Sequence, residues 1–213
     1  MAICTSTDLY LLTNLTISDV SSTDATSIIE HATVELNRLI NTKITRELVN
    51  YIDSTRENKI DSSNTTYYVR NWKKYLADMD NDGDVDTDDI KVYQVDSNGD
   101  ETELTVSSIT HDEGKFVLSS APTTGVRLYV SYEYALKDVS TPDNIVKLAC
   151  TFLTASYCYG KLNIGRSPKT KFGNRSLERD MNSPEYYRNL AHSLIQNIND
   201  SMYSSSDSER AMN

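Results

Sequence analysis

Residues 78–89 read DMDNDGDVDTDD, seven carboxylates in twelve positions around a single glycine. Charge of that density is not buried unpaired, so the chain must present the stretch as a loop that is either solvated or wrapped on a cation. The spacing favours the cation. A calcium ion takes oxygens from positions 1, 3 and 5 of a twelve-residue loop, a turn glycine at 6, a main-chain carbonyl at 7 and a carboxylate at 12. Asp78, Asp80, Asp82, Gly83, Asp84 and Asp89 fill those places. Asp86 at position 9 adds a ligand directly or through water, and Val85 at position 8 is the apolar residue expected to turn inward. Asp89 departs from the pattern, being a methylene shorter than the usual glutamate and less able to reach a bidentate pose. The expected cofactor is therefore a structural Ca2+, held by Asp78, Asp80, Asp82, Asp84, Asp86 and Asp89; the competing reading is a solvated acidic loop.

A chain of 213 residues buries a real core as one domain, or one domain with an insert. Its net charge of −10 argues against a protein built to grip nucleic acid, because that affinity comes from cations neutralising phosphates. Cys4, Cys150 and Cys158 are odd in number and lack CxxC spacing, which suits buried thiols in a reducing compartment rather than a disulfide framework. MAICTSTDLYLLTNL has no basic start, apolar run and cleavage site, so no signal peptide is expected, and no segment is expected to enter a membrane.

Hydrophobic period divides the chain. Residues 21–40 place Ile28, Ala32, Leu36 and Leu39 on a helical stripe widened by Ile29 and Ile40, and a weaker helix is expected at 45–52. From Thr65 the period becomes that of strands. TTYYVR, IKVYQV, ELTVSS, KFVL and RLYVSYEY are separated by turn-forming DSNGD, HDEG and APTTG, with at most two helical turns at WKKYLA. That is a meander of four or five strands, and it makes the acidic loop run directly into a strand, where an EF-hand needs a helix. Helix returns at Pro142, with Ile145, Leu148, Ala149, Phe152, Ala155 and Tyr159 on one face. A Gly/Pro/Lys/Arg-rich loop follows over 160–181. Ser183 and Pro184 then start a helix carrying Tyr187, Leu190, Ala191, Leu194, Ile195, Ile198 and Met202 on its stripe, ahead of a mobile tail at 205–213.

The expected fold is α+β, a bundle of N- and C-terminal helices with a small inserted antiparallel β-unit, meander or barrel-like. Its parts would be helical over 1–64, the β-insert over 65–137 and helices over 138–204. No enzyme is expected. GKLNIGRS at 160–167 misses the phosphate-loop lysine and is followed by Pro168, and His31, His111 and His192 are scattered singly. The basic segment, with Lys161, Arg166, Lys169, Lys171 and Arg175, is by default a solvated loop; it has only Phe172 to stack on bases, which favours a protein partner over single-stranded nucleic acid.

The order of these elements carries a resemblance. The helix SSTDATSIIEHATVELNRLINTKI, the β-insert with GKFVLSSAPTTGVRLYVSYEYA, the helix PDNIVKLACTFLTASYCYGKL and the final capped helix together resemble the head-tail connector (adaptor, or head-completion) proteins of tailed viruses, from about Leu11 to Ile198. The resemblance implies a subunit of a ring in the virion neck, usually twelve-fold, made in the host cytoplasm. Such a ring docks on a portal protein, offers its other face to a tail or neck completion protein, and lets DNA pass through without specific binding. The basic residues Lys161, Arg166, Lys169, Lys171 and Arg175 are then candidates for the portal contact. The acidic loop is where this chain departs from that family. Its rival implication is a dockerin-like, calcium-dependent adhesion module, although dockerins pair two such loops, each followed by a helix.

Overall fold

The computed structural model describes the backbone of residues 2–49, 58–138, 141–164, 169–172, 175–178 and 183–210, with side chains described through residue 164 and again over 183–200. The fold is α+β, and it divides into two compact units, one from residues 40–141 and one from residues 2–39 together with 142–213.

Among the described residues the first unit holds eight strands: β1 (Thr42–Leu48), β2 (Thr66–Tyr68), β3 (Tyr75–Ala77), β4 (Ile90–Val95), β5 (Glu101–Leu104), β6 (Val106–Thr110), β7 (Lys115–Leu118) and β8 (Arg127–Ala135). They form two open antiparallel sheets rather than a barrel or a single meander. One sheet runs β1-β8-β4-β5 with β3 also on β8, and the other runs β2-β7-β6. ELTVSS, expected as one strand, breaks at Thr105, so that β5 and β6 belong to different sheets. Strand β8 is the axis of the larger sheet. Its alternation puts Leu128, Val130, Tyr132 and Tyr134 inside, and in the other sheet Tyr67 stacks on Phe116 with centroids 5.8 Å apart.

The segment expected to be a weaker helix begins as strand. Residues 42–48 pair with β8 across a bulge between Ile44 and Glu47, where Arg46 takes φ +56°. Only residues 45–49 of the helix expected at 45–52 are described; Thr45–Leu48 is strand, and 50–52 lie outside the described residues. The reason is tertiary. Glu47 reaches the buried Tyr132, whose hydroxyl donates to Glu47 Oε2 at 3.0 Å and accepts from Asn71 Nδ2 at 3.0 Å, while Arg70 N donates to Glu47 Oε1 at 2.7 Å. A fully buried tyrosine needs such a partner for its polar tip. At WKKYLA the chain makes a turn and enters β3 at Tyr75.

The second unit contains α1 (Ser6–Leu12), α2 (Ser22–Ile40), α3 (Asn144–Asn163) and α4 (Ser183–Arg210). Helix α1 was not expected from its period; a reciprocal capping box between Thr5 and Asp8 starts it. Helix α2 is turned slightly from the expected stripe: Ala25, Ile29, Ala32, Leu36 and Ile40 are buried, while Leu39 is exposed. Helix α3, capped by Asp143, is buried on nearly every side, including Thr151, Thr154 and Ser156, whose small size admits close neighbours. Around it Leu9, Leu15, Val20, Ala25, Ala155, Cys158 and Tyr187 form one cluster, with Tyr159 stacked on Tyr187 at 5.3 Å.

On α4, Tyr187, Ala191, Ile195 and Ile198 are buried as the stripe requires. The side chain of Met202 lies outside the described residues. Part of the 160–181 loop is a hairpin of β9 (Lys169–Phe172) and β10 (Arg175–Glu178), and α4 runs through Arg210.

Candidate metal centre

The acidic loop sits at a single step in a sheet. Ala77, the last residue of β3, pairs with Glu133 of β8, and Ile90, the first of β4, pairs with Tyr132. Neighbouring residues of β8 therefore receive the two ends of the loop, and residues 78–89 bulge out of what would otherwise be one continuous strand. The expected strand exit is present, and the entry is a strand as well.

Main-chain geometry inside the loop follows from its residue types. Asn81 takes φ +64° and Gly83 φ +103°, conformations that asparagine and glycine adopt most readily. The carboxylates fold the chain around them. Asp78 accepts from Asn81 N at 2.6 Å and from Gly83 N at 2.9 Å, Asp80 from Asp82 N at 3.1 Å, Asp82 from Asp84 N at 3.0 Å, and Asp86 from Asp88 N at 2.8 Å. These are the side-chain-to-backbone turns that aspartate favours.

The structure brings together three of the six residues expected at the metal. Oxygens of Asp78, Asp80 and Asp82 all lie within 4.8 Å of one another. A calcium ion with oxygens at about 2.3–2.6 Å has a coordination sphere about 4.6–5.2 Å across, so the three oxygens fit around one cation. The cluster could hold a metal ion. Asp78 is buried, and Asp80 and Asp82 are exposed, so the centre is anchored on one side and open on the other.

Asp84, Asp86 and Asp89 are not part of that cluster. Asp84 and Asp86 are exposed. Asp89 is buried and occupied with the backbone, Oδ1 accepting from Met79 N and from Asp80 N at 3.2 Å, and Oδ2 from Asp86 N at 2.8 Å. Its short side chain ties the end of the loop to its beginning, and with Asp86 it caps a 3-10 turn over Thr87–Asp89. Val85 is half-buried. Burial pushes the Asp89 carboxyl up to about 6, against the pull of its backbone donors. Asp78 is raised as well, chiefly by burial, with the charges of Asp80 and Asp82 adding to it. A bound cation would reverse this balance.

The basic residues do not gather into one described site. Lys161, near the end of α3, pairs with Asp24 at 3.2 Å within the helical unit. Arg166 lies outside the described residues. Lys169 and Lys171 register against Glu178 and Ser176 in the hairpin, and Arg175 registers against Phe172. Sequence reading missed a cleft of about 520 Å³ on the helical unit, lined by Ile28, His31, Val34, Glu35, Arg38 and Tyr157. There Tyr157 donates its hydroxyl to Glu35, and Arg188 reaches the same carboxylate at 3.2 Å. Spacing within α2 placed His31, Glu35 and Arg38 on one side, but only folding supplied the partners from α3 and α4.

No protein-family model and no curated protein matches this chain. Among the described residues no helix is long and apolar enough to cross a membrane.

Proposed function

We propose that this chain is a structural virion protein of the neck, forming a ring that joins the portal of a DNA-filled head to the tail or next neck component. The observation that carries the reading is the architecture: both ends of the chain build one helical unit, and the β-unit lies between them in sequence, the order on which the resemblance to head-tail connectors rests. Two further features agree with it. Leu11, Ile17 and Ile164 are 78%, 65% and 79% exposed on the helical unit, apolar surface that neighbouring subunits would cover. The net charge of −10 suits a channel through which DNA slides without sticking. Lys161, Arg166, Lys169, Lys171 and Arg175 remain the candidates for the portal contact.

Within that role the acidic loop holds Ca2+ as a structural clip. The ion neutralises Asp78, Asp80 and Asp82 and holds together a loop whose ends meet at adjacent residues of β8. A sensor would need an element for the ion to move, and strands held to β8 on both sides leave none next to the loop. The same strands count against a dockerin-like module, in which a helix follows each loop. Native mass spectrometry of the purified protein, alone and mixed with its portal, tests the ring. Closed oligomers are expected, and a strict monomer that never binds the portal overturns the proposal.

A further inference from the structure

We propose that Cys4 and Cys150 are the two halves of a reversible disulfide that fastens the start of the chain to the middle of α3. The residues are 146 apart in sequence, so spacing says nothing of the pair. In the fold both are free thiols, 2% and 0% exposed, with their sulfurs 3.2 Å apart. A disulfide needs about 2.05 Å, so a closure of roughly 1 Å joins them, within reach of small side-chain rotations. Cys4 lies in the bend just before α1, outside any helix or strand.

Each sulfur also lies near a threonine hydroxyl. Thr154 Oγ1 lies 4.0 Å from Cys4 Sγ, and Thr33 Oγ1 lies 3.7 Å from Cys150 Sγ. The hydrogen bond with Cys150 holds the Cys4 thiol below its ordinary value in spite of burial, while the same bond and burial push Cys150 far up. Cys4 acts as the nucleophile and Cys150 as the resolving thiol, and the balance is the same with the roles exchanged. The oxidant is hydrogen peroxide. The Cys4 thiolate attacks the peroxide oxygen, the O–O bond breaks, and the leaving hydroxide takes up the proton that Cys4 has shed, giving water and a sulfenic acid on Cys4. Cys150 sulfur then attacks Cys4 Sγ and displaces that oxygen as hydroxide, which takes up the Cys150 proton to leave as water. In total two thiols and one hydrogen peroxide give one disulfide and two waters.

The bond would hold the segment before α1 against α3 and close a long loop, an arrangement that stabilises the folded chain by restricting the unfolded one. Reduced protein is the form a reducing compartment maintains, and oxidation locks it afterwards.

The test is peroxide treatment of the full chain under native conditions, followed by alkylation and peptide mapping. No Lys or Arg separates Cys150 from Cys158, so a tryptic peptide carries both. The mapping is therefore done on Cys158→Ala as well as on the natural chain. The expected result is an intramolecular Cys4–Cys150 link with loss of two hydrogens, a melting midpoint several degrees higher, and reversal of both by dithiothreitol. Cys4→Ser should show neither change. Full alkylation of Cys4 and Cys150 after peroxide, over-oxidation without a link, or a link that forms only in denaturant overturns the proposal.

Discussion

Replacing Asp80 and Asp82 together by alanine separates a metal clip from a solvated acidic loop. Both side chains are exposed, and apart from the cation each supports the loop through one hydrogen bond, to Asp82 N and to Asp84 N. Such bonds are worth about 0.5–1.5 kcal/mol net, so the metal-free variant should lose at most about 1–3 kcal/mol, partly offset by removing two of seven crowded charges. The calcium effect is a separate quantity. An ion present at about 100 times its dissociation constant stabilises the folded state by about 2.7 kcal/mol, and in a unit of about 100 residues each kcal/mol moves the midpoint by roughly 4–8 °C. The natural chain should therefore melt on the order of 10–20 °C higher with millimolar calcium than with a chelator, read by differential scanning calorimetry of the β-unit transition. The variant should show almost none of that shift. Equal shifts in both proteins, or none in the natural chain, would refute the metal reading of Asp78, Asp80 and Asp82.

Other outcomes follow from particular residues. In calcium-free protein the Asp89 carboxyl stands at about 6 against an ordinary 3.8. Its contribution to stability is therefore full below the ordinary value and is lost as pH rises through about 6. The loss is on the order of 3 kcal/mol, each pH unit between the two values being worth about 1.4 kcal/mol. The calcium-induced rise in midpoint should accordingly be larger at pH 7.5 than at pH 5. Gly114→Ala would place a Cβ 2.6 Å from Trp72 Cα and 2.9 Å from Val69 Cγ2 at φ +57°. Left-handed strain and overpacking together should cost about 2–4 kcal/mol, measured by urea unfolding, and a loss under about 0.5 kcal/mol would contradict this packing. Removing the α3 cap with Asp143→Ala, which leaves Val146 N without its side-chain acceptor, should cost about 1 kcal/mol in the same assay. Burial pushes the Cys158 thiol up to about 11, so a thiolate-specific reagent at pH 8 should label it only as fast as the chain opens, and rapid labelling would count against its burial.

The sequence by itself determined the features that depend on neighbours along the chain. The twelve-residue spacing of the acidic loop, the stripe of Tyr187, Ala191, Ile195 and Ile198, the start of α4 at Ser183 and Pro184 and the turn at Asp96–Asp100 are all local. In that turn Asp96 Oδ1 accepts from Asn98 N and Asp100 N. Their chemistry is complete within a few residues, so a linear reading finds them. Tertiary structure decided what depends on distant partners. Residues 42–48 have no strong strand period of their own and extend because β8 offers a ladder and Tyr132 needs Glu47. Asp89, sixth of the expected metal ligands, turns instead to the backbone of Met79, Asp80 and Asp86, because closing the loop at one step of β8 leaves those donors beside it. Cys4 meets Cys150 only because the helices at the two ends of the chain fold into one unit. Spacing along a chain records which groups can share a turn; which distant groups share a core is set by burial, and burial is a property of the whole fold.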